Sequence, residues 1–126
     1  MAAQKILIVE DDETNALVVN DYLAAHGYET IVARDGVAGV EAFKRVRPDL
    51  VILDLLLPKK NGYEACFDMR AAGQGFKPPI LLMSAVGKEV YAEAYAKADQ
   101  YVQGYLRKPF SMATLIEQVR ELLDPT

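Results

Sequence analysis

The chain has 126 residues, about half of them hydrophobic and a quarter charged, with a net charge of −4. That length suits one domain with one core, and the apolar runs fall well short of the roughly 18–20 residues of a membrane helix. The acidic balance disfavours a grip on nucleic acid by this chain, no signal-peptide pattern follows "MAAQK", and a lone cysteine, Cys66, rules out an internal disulfide and fits a reducing cytoplasm.

In chain order, punctuation residues divide the sequence into alternating strands and helices. "KILIV", Lys5–Val9, is a β-branched run and predicts a buried strand. Thr14 to His26 carries Ala16, Val19 and Leu23 at helical spacing, and Gly27 is its stop signal. His26 sits where its charged form suits the helix dipole and is not read as a ligand. "ETIVA", Glu29–Ala33, is a second strand. "DGVAGVEAFKRVRP" predicts a helix with Val40 and Phe43 on one face, ending before Pro48.

"LVILD", Leu50–Asp54, is the third strand, and "PKKNG", Pro58–Gly62, a solvated loop. Tyr63, Cys66 and Met69 recur at helical spacing, with Cys66 as a small core residue and Gly73 and Gly75 closing the helix. "ILLMS", Ile80–Ser84, is the fourth strand. Val86 to Ala98 predicts a fourth helix, "GYLRKP", Gly104–Pro109, a short fifth strand, and Ser111 caps a last helix with Leu115, Val119 and Leu122 inward.

Strands apolar throughout and separated by helices imply a parallel sheet covered on both faces. Right-handed crossovers then give an open, doubly wound α/β architecture with the site at the carboxyl ends of the strands. Within "VILDLLLP", Val51–Pro58, Asp54 interrupts an apolar run. Burying a lone carboxylate costs several kcal/mol or more, so Asp54 must end its strand and find partners. Glu10, Asp11 and Asp12 end the first strand, Ser84 the fourth, and Lys108 the fifth. If these strands are neighbours, carboxylates, a hydroxyl and an ammonium share one crevice.

Clustered carboxylates repel unless a cation joins them. All-oxygen donors suit a hard divalent ion, and magnesium fits where few carboxylates bind it directly. A carboxylate is also a nucleophile that forms an aspartyl phosphate. Asp54 is the natural nucleophile, with the metal, Lys108 and Ser84 each holding a phosphoryl oxygen. Any one of these residues alone reads as a turn residue or solvated charge. Their conjunction at successive strand ends is far more specific.

Four motifs, "ILIVEDD", "PDLVILDLLLPKKNG", "LLMSA" and "YLRKPF", give the chain its resemblance to the receiver domain of bacterial two-component response regulators, from about Lys5 to Leu123. The resemblance implies a single receiver domain over 1–126, with the flavodoxin-like (βα)5 fold of the single-domain chemotaxis regulators and strand order 2-1-3-4-5. It implies a signalling switch rather than an enzyme, catalysing only its own phosphorylation and dephosphorylation. By the same resemblance, a sensor histidine kinase or histidine phosphotransfer protein phosphorylates Asp54, with magnesium, or manganese in its place. Asp11, Asp54 and the Leu56 backbone carbonyl would hold the metal, with Glu10 acting through water. Asp12 would start the following helix.

Lys108 matches the phosphate-binding lysine, Ser84 the switch hydroxyl and Tyr105 the aromatic switch residue. The Lys108–Pro109 bond is expected to be cis. Phosphorylation would reshape the face built from the fourth helix, fifth strand and fifth helix, and so control a downstream protein or an effector domain. DNA binding would need such a further domain, since this one contacts neither nucleic acid nor membrane.

The chain departs from the family pattern in two places. Leu56 and Val86, two residues after Asp54 and Ser84, are apolar and hold no attacking water, which predicts slow autodephosphorylation. "QYVQG" replaces a small-residue turn and lengthens the Ser84–Lys108 spacing, so the fourth helix is extended or its loop bulged. Tyr91, Tyr95, Tyr101 and Tyr105 fall together here; half-buried rings with solvated hydroxyls are favoured about two to one over an aromatic docking surface. Dehalogenase-type phosphatases share a strand-end Asp and magnesium but need an acid where Leu56 stands. A phosphorylation-independent pseudo-receiver that only binds partners is the alternative, disfavoured by the intact Asp11, Asp54, Ser84 and Lys108. A nucleotide-binding role lacks a Gly-rich phosphate loop.

Overall fold

The computed structural model describes residues 2–87, 89 and 91–124. Its elements alternate as β1 (Lys5–Val9), α1 (Glu13–Ala25), β2 (Glu29–Ala33), α2 (Gly36–Val46), β3 (Leu50–Asp54), α3 (Gly62–Gly73), β4 (Ile80–Ser84), α4 (Ala92–Asp99), β5 (Gly104–Arg107) and α5 (Met112–Leu123). All pairings are parallel, in the order β2-β1-β3-β4-β5. This is the flavodoxin-like, doubly wound arrangement expected from the alternation.

Period-two alternation along each strand sorts the core into two layers. Leu7, Val9, Val51, Leu53 and Leu82 face α2, α3 and α4, where they meet Phe43, Met69 and Ala98. Ile6, Ile8, Ile52, Leu81 and Met83 face α1 and α5, against Leu23, Leu115 and Val119. Both faces are apolar because both are covered, which is why β3 and β4 are buried throughout. Leu122 is only partly buried at the edge of the second layer.

Four helices start on a side-chain cap just after a strand end. Asp12 accepts the Asn15 N–H at 2.9 Å, Asp35 the Ala38 N–H at 2.7 Å, Asn61 the Glu64 N–H at 3.1 Å and Ser111 the Thr114 N–H at 3.1 Å. The expected Val86–Ala98 helix instead begins at Ala92. In the loop that replaces its first part, the Val86 N–H is donated to Ser84 Oγ at 3.1 Å and the Val86 carbonyl accepts the Tyr95 hydroxyl at 2.6 Å. Tyr91 is neither helical nor extended (φ −125°, ψ 49°) and offers no side-chain cap. The long Ser84–Lys108 spacing is therefore spent in the β4–α4 loop and not in a longer helix; Lys88 and Val90 of that loop lie outside the described residues. No helix among the described residues is long and apolar enough to cross a membrane.

Candidate functional site

The parallel register brings the strand ends to one edge. Val9 pairs with Leu53, Asp54 with Met83 and Ser84 with Arg107, so the residues that follow β1 and end β3, β4 and β5 are laid side by side. Main-chain bonds continue the ladder past the strands. The Glu10 N–H donates to the Ala33 carbonyl at 3.0 Å, Leu55 to Met83 at 2.8 Å and Lys108 to Ser84 at 2.8 Å. The Lys108–Pro109 peptide is cis.

Glu10, Asp54 and Ser84 are the buried polar residues of the core. The Lys108 ammonium joins two of them, donating to Asp54 Oδ2 at 2.6 Å and to Glu10 Oε1. Asp54 Oδ1 accepts the Leu56 N–H at 3.0 Å, and Glu10 Oε2 accepts the Asp12 N–H at 3.3 Å. This answers how a carboxylate is tolerated inside "VILDLLLP": each Asp54 oxygen has a donor, one of them charged. The Asp11 side chain is exposed beside them.

Carboxylate oxygens of Glu10, Asp11 and Asp54 lie within 4.8 Å of one another. The donors are all oxygen, which is the set that Mg²⁺ or Mn²⁺ takes and that softer, nitrogen- or sulfur-seeking ions do not prefer. The residues therefore fit a hard divalent cation. Burial, and the nearby Asp54 charge, push the Glu10 carboxyl above its ordinary range, although the Lys108 hydrogen bond pulls the other way. For Lys108, burial disfavours the ammonium, but hydrogen bonds and charge from Asp54 and Glu10 outweigh it and raise its pKa. One ammonium among three carboxylates leaves the crevice short of positive charge.

The loop after β3 closes over the site by close backbone approach. A Cβ on Gly62 would lie 2.5 Å from the Asp54 carbonyl oxygen, and one on Gly36 would lie 1.9 Å from that of Lys60. Only glycine fits either position. Of the two lysines expected to be solvated, Lys59 is so, its side chain 69% exposed beside Asp35 at 3.4 Å, while Lys60 is partly buried and paired with Asp68. Leu56, beside Asp54, is 43% exposed.

Ser84 Oγ accepts the Val86 N–H, and Tyr105 lies further from the crevice. The Tyr105 hydroxyl donates to Asp99 Oδ1 at 2.6 Å, and its ring sits 5.5 Å from that of Tyr95. Burial and the Asp99 carboxylate raise the Tyr105 pKa. Tyr95 is buried, Tyr101 packs edge-on against Phe67 at 5.9 Å, and Tyr91 is exposed. Tyr95 and Tyr105 thus pack together, while Tyr101 packs on Phe67.

Sequence reasoning missed Arg34. Its guanidinium donates to the carbonyl oxygens of Glu10 at 3.1 Å and Asp11 at 2.7 Å. Its only sequence signal is its place before the "DG" that opens α2, which says nothing of a reach back to the β1–α1 turn.

With fold and crevice defined, comparison with known proteins is unambiguous: the chain belongs to the response regulator receiver domain family, whose pattern matches residues 6–120. Such domains are two-component signalling modules. It is 34% identical over 122 residues to the response regulator MprA of Mycobacterium leprae, covering 97% of this chain and 52% of that protein. The chain spans about half the length of the curated relatives it matches. Among solved structures it resembles the Vibrio cholerae chemotaxis protein CheY4 (27% identity, TM-score 0.86, 97% of this chain and 100% of that one). It is equally similar to the receiver domain of a Pseudomonas aeruginosa sensor histidine kinase with magnesium coordinated in its active site cleft (32%, TM-score 0.86, 97% and 98%). The BeF3-activated receiver domain of Klebsiella pneumoniae RstA is a third match (29%, TM-score 0.84, 96% and 99%).

Proposed function

We propose that this receiver domain, 1–126, is a magnesium-dependent phosphoryl switch that takes its phosphoryl group on Asp54. The observation that carries this reading is the Lys108 ammonium bridging Asp54 and Glu10 inside a cluster of three carboxylates. Asp11, Asp54 and the Leu56 carbonyl would hold the cation, with Glu10 acting through water. When bound, magnesium supplies positive charge to the phosphoryl oxygens.

An Asp54 carboxylate oxygen attacks the phosphorus of a phosphohistidine on a sensor histidine kinase or a histidine phosphotransfer protein. The new P–O bond makes an acyl phosphate, the P–N bond breaks, and the leaving imidazole takes up a proton. Lys108 gives up Asp54 Oδ2 for a phosphoryl oxygen. The Ser84 hydroxyl stops accepting from Val86 and donates to another.

The β4–α4 loop follows Ser84, Tyr105 leaves Asp99 and turns inward, and the α4–β5–α5 face changes shape. A downstream protein or an effector domain reads that face in the cytoplasm. The domain turns over no substrate besides its own phosphoryl group. The Leu56 and Val86 side chains present no polar atom to an attacking water, so the acyl phosphate is long-lived.

Incubation with magnesium and acetyl phosphate, followed by intact-mass measurement, tests the reading. One phosphoryl adduct is expected, absent in Asp54→Asn and decaying over minutes or longer. A lifetime of seconds would sink the Leu56 and Val86 reading. No adduct, together with no beryllofluoride binding, would leave only a partner-binding module.

A further inference from the structure

Past Glu10 the acidic turn leaves the sheet ladder. The Glu10 N–H still bonds to Ala33, and the Asp12 N–H folds back to the Glu10 carboxylate. The carbonyls of Glu10 and Asp11 both point to Arg34. Nε donates to the first and Nη2 to the second, at 3.1 and 2.7 Å. Both acceptors are main-chain atoms, so Arg34 leaves the Glu10 and Asp11 carboxylates available. A planar guanidinium that grips consecutive carbonyls restrains the peptide between them.

The geometry points to Arg34 as a positioning residue for the divalent cation, holding the Glu10–Asp11 turn so that both carboxylates face Asp54. This inference rests on the metal-dependent reading above. Two effects of Arg34 oppose each other. Its fork pre-organises ligands for an ion that demands near-ideal octahedral geometry. Its charge repels that ion. Positioning wins, because Arg34 is exposed and water screens its charge, whereas its bond to the Glu10 carbonyl is part-buried and acts together with the bond to Asp11.

Calorimetric titration of Mg²⁺ into the wild-type chain, Arg34→Ala, Arg34→Lys and Arg45→Ala tests it. Arg45, in the last turn of α2, removes the same charge away from the acidic turn. Arg34→Ala is expected to weaken magnesium about tenfold, the scale seen when groups that orient metal ligands are removed, while Arg45→Ala stays at the wild-type affinity. Arg34→Lys keeps the charge but loses the fork, so it too binds more weakly, and it carries the test if Arg34→Ala fails to fold.

Hydrogen exchange on the metal-free protein is a second readout. Arg34→Ala should speed exchange at the Asp12 amide, which is bonded to the Glu10 carboxylate, while the β1 and β3 amides keep their protection. Magnesium affinity that is unchanged or tighter in Arg34→Ala, or wild-type affinity in Arg34→Lys, overturns the proposal. A wild-type chain that binds no magnesium is the failure of the switch reading itself, and takes this inference with it.

Discussion

Lys108 holds two buried carboxylates whose separate desolvation would be costly. Removing one partner of a buried pair costs about 3–5 kcal/mol; with its side chain 16% exposed, Lys108→Met is expected to cost about 2 kcal/mol at pH 7. The pH dependence has a definite sign. Glu10's folded pKa is raised, so its contribution is present at low pH and lost as the pH rises through that raised value. Without the ammonium the Glu10 pKa rises further, so the Lys108→Met deficit should shrink as the pH falls toward the ordinary carboxyl value of 4.5. Urea unfolding at neutral and mildly acid pH checks this, and an equal deficit at both would mean that Lys108 contributes packing and not charge. Cys66 is the opposite kind of buried residue. Burial pushes its thiol up to about 12, so it should resist a disulfide reagent at neutral pH until the protein unfolds. Cys66→Ser, which puts an unpaired hydroxyl into the first core layer, should cost about 1–3 kcal/mol by the same unfolding assay.

At the scale of elements, each helix that follows a site strand begins on a polar cap, except α4. Ser111→Ala removes the α5 cap and should cost about 1 kcal/mol, with Ser111→Asp restoring most of it in thermal unfolding. At the start of α4 the Tyr95 hydroxyl donates to the Val86 carbonyl, beside the main-chain bonds from Tyr91 to Gly87 and from Tyr95 to Tyr91. The hydroxyl bond ties α4 to the loop leaving Ser84, the loop that phosphorylation is proposed to pull. Tyr95→Phe keeps the ring and removes this tie, for about 1 kcal/mol. Faster hydrogen exchange in the Ala85–Gly87 segment would accompany it; exchange as slow as in the wild type would show that the ring alone holds the loop.

For the whole molecule, the proposed cation binding would be linked to folding, because the unfolded chain cannot gather residues 10, 11 and 54. Magnesium at about a hundred times its Kd should raise the unfolding free energy by about 2.7 kcal/mol. Asp11→Asn should abolish most of that gain and leave metal-free stability nearly unchanged, since the Asp11 side chain is exposed. Denaturant curves with and without magnesium measure both.

Local chemistry determined much of this protein directly. β1 to β4 span the residues that their apolar runs mark out, and Asp12, Asn61 and Ser111 stand where capping chemistry puts helix starts. The candidate residues were legible as strand ends, because an all-parallel sheet delivers every strand end to one edge. Tertiary structure alone decided the rest. Lys108 meets Glu10 across 98 positions, Arg34 reaches back to Glu10 across 24, and the Tyr95 hydroxyl reaches back to the Val86 carbonyl across 9. Periodicity and turn signals report on residues a few positions apart. Which side chain answers a buried charge or an open carbonyl is settled only when the sheet has set the strands side by side.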